Sequence, residues 1–173
     1  FRSVTSGYNF SLAIKTDGTL WSWGYNARGE LGDGTITYRS SPVQIGSDTD
    51  WSKTACGYYF GLAIKTGGTL WAWGDNSYGQ LGLGNTLDKS SPNQVGALTN
   101  WLNVAGGFYF SLAVKTDGTL WTWGRNNYGQ LGNNTITDYT SPIQIGVLTN
   151  WTQVACGYRF MYAARTDGTL WSW

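Results

Sequence analysis

The sequence repeats every 50 residues without slippage: Trp51, Trp101 and Trp151 form one series, Trp21, Trp71, Trp121 and Trp171 a second, and Trp23, Trp73, Trp123 and Trp173 a third. These series hold all eleven tryptophans of the chain. A period of this length belongs to solenoids, propellers and arrays, in which one repeat cannot bury its apolar faces alone and is completed by its neighbours. What recurs is therefore framework, and function is to be sought where the copies differ. The frame divides one domain, 1–173, into repeats 1–50, 51–100, 101–150 and an incomplete 151–173. The register reads as a segment of a longer array, because Phe1 takes the place of the opening tryptophan and Trp173 precedes the position of the glycine that follows Trp23, Trp73 and Trp123.

Within the first copy, Asn9 to Lys15 alternates, with Phe10, Leu12 and Ile14 on one side and Ser11, Ala13 and Lys15 on the other, which is the period of a strand. Asp17-Gly18 then predicts a hairpin with a type I′ turn and positive φ at both central residues, a requirement that Gly67-Gly68, Asp117-Gly118 and Asp167-Gly168 meet equally. Leu20 to Trp23 returns with both tryptophans on one face. A further strand precedes the hairpin, clearest as Trp101 to Ala105 and ended by Gly106-Gly107. A short one follows a long loop at Pro42 to Ile45, with Pro92 and Pro142 at the same place, and proline suits an outer strand that can spare a donor. Short antiparallel strands, apolar on both faces and without helical period, predict an all-β chain: a β-propeller of four-stranded antiparallel blades, here a partial propeller of about three and a half blades.

Charge excludes several classes of partner. With 11 Lys and Arg against 10 Asp and Glu there is no basic field for nucleic acid, and no apolar run approaches the ~18 residues that would predict membrane insertion. The chain has no histidine, so it carries no Ser-His-Asp or Cys-His constellation and no imidazole ligand. We expect no enzyme activity, no cofactor, and no catalytic, cofactor-binding or metal residues. Cys56 and Cys156 share one position two copies apart. An intervening blade would hold them beyond the ~7 Å Cα limit for a disulfide, so they are expected free and buried. Few charges and heavy use of Gly, Thr, Ser, Asn, Trp and Tyr suggest a secreted or cell-surface β-protein.

The stretch Gly57 to Val95, GYYFGLAIKTGGTLWAWGDNSYGQLGLGNTLDKSSPNQV, resembles the repeat of the regulator of chromosome condensation family. That repeat combines a Gly-x-x-(His or aromatic)-(Ser/Thr)-Leu-Ala strand, a Thr-x-Asp-Gly turn, an aromatic-x-Trp-Gly strand and an Asn-x-x-Gly-Gln-Leu-Gly loop, the last standing here at Asn26 to Gly32, Asn76 to Gly82 and Asn126 to Gly132. The resemblance covers the whole chain and implies a ring of about seven blades. The close identity of the copies resembles the family's bacterial branch. A plant ultraviolet photoreceptor with this fold senses light through a Gly-Trp-Arg-His-Thr segment. The matching positions here are Tyr8, Tyr58, Phe108 and Tyr158, so these tryptophans are expected to serve packing.

In an up-down-up-down blade the first-to-second and third-to-fourth connections emerge on one side of the disc and the Asp-Gly turns on the other. The copies differ most on the first side. The short connections supply Tyr8, Asn9, Tyr58, Tyr59, Phe108, Tyr109, Tyr158 and Arg159; the long ones supply Tyr25, Arg28, Tyr38, Arg39, Asp75, Tyr78, Lys89, Arg125, Tyr128, Asp138 and Tyr139. Tyrosine and arginine dominate binding hot spots because they bury much area with a polar handle. The candidate partner-binding residues are Tyr8, Tyr58, Tyr59, Tyr109, Arg125, Tyr128, Tyr139 and Arg159. The expected function is a non-catalytic protein–protein interaction module, bacterial and surface-exposed or secreted, for an unknown protein ligand. Alternatives are a structural subunit of an extracellular filament or sheath, formed by self-association or by assembly with the rest of a longer chain, and a glycan-binding adhesin. Guanine-nucleotide exchange, the family's namesake activity, ranks last because no basic arm is present.

Overall fold

The computed structural model describes residues 1–173. Its first sheet holds β1 (Ser3–Ser6), β2 (Phe10–Ile14), β3 (Leu20–Gly24) and β4 (Arg39–Gln44) in that order. The second holds β5 (Trp51–Cys56), β6 (Phe60–Lys65), β7 (Leu70–Gly74) and β8 (Lys89–Gln94). The third holds β9 (Trp101–Gly106), β10 (Phe110–Lys115), β11 (Leu120–Gly124) and β12 (Tyr139–Gln144), and the fourth β13 (Trp151–Cys156), β14 (Met161–Arg165) and β15 (Leu170–Ser172). All pairings are antiparallel and there is no helix, so the architecture is a partial propeller of sheets with four, four, four and three strands. The fourth strand begins earlier than its proline suggests, since a bulge after Ser22 lets Gly24 pair with Arg39.

The hairpin turns differ from expectation. Lys15 N donates to Thr19 O and Lys15 O accepts from Gly18 N, both at 3.0 Å, which defines a three-residue loop. Gly18 has φ 82° while Asp17 does not enter the left-handed region. This is a type I turn closed by a glycine bulge, not type I′. A local bond braces it: the Asp17 carboxylate accepts from Thr19 N at 3.0 Å and from Thr19 Oγ1 at 2.6 Å, which ties the aspartate back over the turn. Thr19 Oγ1 in turn accepts the Trp21 indole N–H at 2.8 Å. Gly67 likewise has no positive φ, and Gly68 alone takes the left-handed place at 77°.

The period-2 alternation decides how the sheets stack. The Leu12 and Ile14 face of the first sheet packs, with Leu20 and Leu31, against Trp51, Ala63 and Trp73 of the second. Leu62, Ile64, Leu70 and Leu81 meet Trp101, Ala113 and Trp123 in the next layer, and Leu112, Val114, Leu120 and Leu131 meet Trp151, Met161 and Ala163 in the last. Each fully buried leucine contributes ~1.5–3 kcal/mol relative to exposure, so these layers supply most of the driving force. The first strands β1, β5, β9 and β13 lie side by side along the axis. Trp73 and Trp123 are wholly buried, and each donates its indole N–H at 2.8 Å to a carbonyl in the preceding copy, Glu30 O and Gln80 O. Thus the recurrent Gln-Leu-Gly loop of one blade clamps a tryptophan of the next.

The cation at the end of each second strand, lysine in three copies and Arg165 in the fourth, shares a face with the tryptophans and lies over them. Lys115 Nζ sits 3.4 Å from the Trp121 ring centroid and 4.8 Å from that of Trp101; Lys65 and Arg165 take matching places. Lys65 also pairs with Asp48 at 2.6 Å and Asp50 at 3.1 Å, whereas Leu98 and Asn100 occupy those positions before Lys115. Lys115 is buried, and desolvation holds its pKa below the ordinary lysine value against a smaller opposing pull from Asp117. Asn100 Oδ1 is buried without a partner. Asn100→Asp is therefore expected to stabilise the fold by ~0.5–1 kcal/mol, read as a raised urea midpoint. The gain should vanish in a Lys115→Met background.

Candidate functional site

The short connections begin with a glycine for a steric reason. A Cβ at Gly7, Gly57, Gly107 or Gly157 would fall 2.2, 1.9, 2.2 or 2.1 Å from the ring of Phe10, Phe60, Phe110 or Phe160. With glycine there, the phenylalanine folds beneath the turn, and the two residues after the glycine stand out from the disc. Main-chain bonds then place the start of each long loop beside them: Tyr25 N, Asp75 N and Arg125 N donate to Asn9 O, Tyr59 O and Tyr109 O at 2.8, 2.9 and 2.8 Å. Neighbouring blades are joined at the same level, with Tyr8 N donating to Tyr58 O at 3.2 Å and Tyr58 N to Gly107 O at 3.1 Å.

This geometry brings the aromatic residues into one connected strip. Along the inner row the ring centroids of Tyr8 and Tyr58 are 4.4 Å apart, those of Tyr58 and Phe108 4.5 Å, and those of Phe108 and Tyr158 4.2 Å. The second row attaches to it, Tyr59 at 4.3 Å from Tyr58 and Tyr109 at 4.2 Å from Phe108. Outward, Tyr25 stacks on Tyr59 at 5.7 Å and Tyr38 meets Tyr25 at 4.8 Å. Arg125 lies 4.6 Å over Tyr78, itself 5.0 Å from Tyr109, and Arg159 lies 4.9 Å over Tyr128 and 5.2 Å over Tyr158. Tyr8, Tyr128 and Tyr158 are more than half exposed at 58%, 61% and 54%, while Tyr58 and Phe108 between them are half-buried.

The structure thus gathers Tyr8, Tyr58, Tyr59, Tyr109, Arg125, Tyr128 and Arg159. Tyr139 stands apart: it opens β12 opposite Gly124, beside a bulge, and packs against the third core layer. Phe108, Tyr158, Tyr25 and Tyr78 are the links that the sequence reading placed on this side without assigning them to the site. Their signal is the shared repeat position, which puts them next to the chosen residues once the blades are stacked.

Charge on this side is unevenly distributed. Asp75 is buried and accepts from Ser77 Oγ at 2.6 Å and from Gln80 Nε2. Glu30, which replaces the glutamine of the other loops, is buried and accepts from Arg28 N at 2.8 Å. Burial raises both carboxyls above their ordinary range, with Asp88 pushing Asp75 and Asp75 pushing Glu30 in the same direction. Arg28 pairs with Asp88 at 3.2 Å. The Tyr58 phenol is also raised, first by desolvation and then by hydrogen bonding with Tyr59 and Tyr8. The loops beneath are braced independently: Asn76 Oδ1 accepts Leu81 N at 3.0 Å and its amide donates to Asn85 O at 2.9 Å.

At the axis the inner row borders a cavity of about 320 Å³ lined by five glycines together with Tyr58, Phe108 and Tyr158. Cys56 and Cys156 are free, half-buried residues on its wall. Burial pushes the Cys56 thiol up to about 12, against a weaker opposing bond from Thr5, and raises Cys156 likewise. Both are protonated near neutrality and poor nucleophiles. A larger apolar cavity of about 800 Å³ lies away from the strip, between the third long loop and β15; the corresponding grooves of earlier blades seat Ser91-Pro92 and Ser141-Pro142.

Family models described as the regulator of chromosome condensation (RCC1) repeat match residues 17–64, 67–114 and 117–164, and residues 1–30, 51–80 and 101–130. The first frame runs from one blade's turn to the next blade's second strand, so it spans a blade junction. Human WBSCR16 superposes with a TM-score of 0.86 at 24% identity over 99% of this chain and 46% of its own. Prp20p from Saccharomyces cerevisiae, studied for its binding to Gsp1p and histones, gives 0.80 at 23% identity over 92% and 42%. Yeast RCC1 (Prp20) bound to Kap60 gives 0.83 at 23% identity over 98% and 41%. This chain spans less than half the length of each of these proteins. No curated protein matches the sequence.

Proposed function

Because the chain belongs to the regulator of chromosome condensation (RCC1) repeat family, we propose that its blades form a non-catalytic module that holds another protein against the aromatic strip, on the surface of a bacterium or secreted from it. The observation that carries this reading is the unbroken inner row from Tyr8 through Tyr58 and Phe108 to Tyr158, on the side where the copies diverge and exposed at both of its ends. A row of rings held by main-chain bonds is rigid before a partner arrives, so little conformational entropy is lost on docking. Balanced, sparse charge supports the extracellular placement, and Prp20p and yeast RCC1 bear on partner class only as proteins of this fold studied with protein partners.

The test is capture from the native source with the unaltered chain and with a Tyr59→Ala, Arg125→Ala, Tyr128→Ala variant. Truncating hot-spot residues of these types costs ~2 kcal/mol or more each, so recovery of the partner should fall at least tenfold while the thermal midpoint stays close to that of the parent. Equal recovery by a folded variant would move the site off the strip.

A further inference from the structure

The cations of this chain divide into those that have a carboxylate and those that do not. Arg28 is held by Asp88, Arg39 by Asp33, and Lys65 by Asp48 and Asp50. Arg125 and Arg159 have no such partner, although both lie on the most variable side of the disc. What each has instead is a tyrosine ring under the guanidinium, Tyr78 under Arg125 and Tyr128 under Arg159. A guanidinium supported on its face by a ring keeps its in-plane N–H groups free at the edge, the arrangement that grips a carboxylate through two parallel bonds.

The neighbouring acids are committed elsewhere. Asp75 is turned inward to Ser77 and Gln80, Asp88 serves Arg28 and Asn76 N, and Asp138 accepts from Asn126 N at 2.7 Å. Glu30 caps its own loop, and Asp33 is taken by Arg39 and Thr35. Repeat position sharpens the point: Arg125 stands where the earlier copies have Tyr25 and Asp75, and Arg159 where they have Asn9, Tyr59 and Tyr109. Both ring-supported arginines therefore fall on the third and fourth blades, while the tyrosine row continues from the first and second, where Lys89 has no carboxylate in an ion pair but no ring beneath it either.

We infer that the partner presents an acidic peptide segment, with carboxylates on Arg125 and Arg159 and apolar side chains along Tyr58 and Phe108. This rests on the protein-binding reading and adds the class of segment recognised. Nucleic acid fits less well, because two arginines on a chain of net charge +1 provide little of the field that phosphates require.

The experiment is fluorescence anisotropy with labelled probes of matched length: a peptide alternating glutamate and leucine, the same peptide with glutamine for glutamate, and single-stranded polyuridine. The glutamate peptide should bind most tightly, lose affinity as salt rises, and weaken at least ~10-fold against an Arg125→Gln, Arg159→Gln variant. The glutamine peptide should show a comparable loss against the unaltered chain, a comparison that requires no protein variant. Equal binding of the two peptides would overturn the acidic preference and leave the protein-binding reading standing. Polyuridine binding without either peptide would overturn both. Absence of all binding would overturn the acidic segment, and capture by the strip would then decide the broader reading on its own.

Discussion

Replacing Trp123 with alanine is expected to lower the unfolding free energy by ~3–5 kcal/mol, a large share of what a domain of this size commands. Trp123 is wholly buried between the second and third sheets, among Leu62, Leu81 and Trp101. The loop above it leaves no slack: a Cβ added at Gly82 would lie 2.8 Å from the indole nitrogen. Rigid strands on both sides cannot close over the space the indole leaves, so the substitution costs both transfer free energy and a persistent cavity. The hydrogen-bond term is smaller, because Gln80 O keeps a second donor, Ser111 Oγ at 2.8 Å. Trp171 supplies the comparison within the same molecule. It is 48% exposed, and its replacement by alanine should cost roughly half as much. Urea titrations of the two variants measure the contrast, and equal costs would contradict sideways stacking of the sheets through their tryptophans.

The blades are legible in the sequence because their determinants are local and recur. Alternation over Phe10 to Ile14, a glycine-bearing turn and paired tryptophans act within one hairpin, so each copy states the same strands again. The turn type was hidden by a competition that Asp-Gly alone does not resolve. Either geometry accepts that dipeptide; the bond from Asp17 to Thr19 braces the type I turn with its bulge, and Gly67-Gly68 forms the same turn without it, so the three-residue loop length and not the aspartate is common to the copies. The lysine caps over the tryptophans were also open to reading: Lys15 and Trp21 are diagonal neighbours in the hairpin register, with Ala13 opposite Trp21. They go unnoticed when lysine is assumed to point at solvent.

The strip was legible only in part. Chain direction puts residues 8, 9 and 25 of every copy on one side, as topology requires. That their rings touch from blade to blade depends on main-chain bonds such as Tyr8 N to Tyr58 O, which join segments 50 residues apart and leave no local mark. Tyr139 shows the converse. Its position in a long loop suggests exposure, but the bulge beside Gly124 extends the fourth strand and draws the ring against the core.

Gly118→Ala is expected to cost on the order of 3–4 kcal/mol, of which ~1–2 kcal/mol reflects forcing an L-residue into the left-handed region at φ 76°. The remainder comes from a contact with the next blade. An alanine Cβ would meet Thr149 O at 2.0 Å, and that oxygen belongs to the backbone leading into β13. Nearby, Trp151 N donates to Gly118 O at 3.0 Å and Thr166 N to Asn150 O at 2.9 Å. Relief therefore requires the fourth sheet to move off the third, straining those bonds and the packing of Trp151. Gly168 separates the two contributions. It occupies the same turn at φ 82°, and an added Cβ there meets nothing within 4 Å. Gly168→Ala should accordingly show the conformational cost alone, ~1–2 kcal/mol, and the difference between the variants in matched urea titrations measures the blade junction. If both lose the same stability, the glycine recurs for its turn only; if Gly118→Ala loses more, each hairpin glycine is also the seat on which the following blade begins.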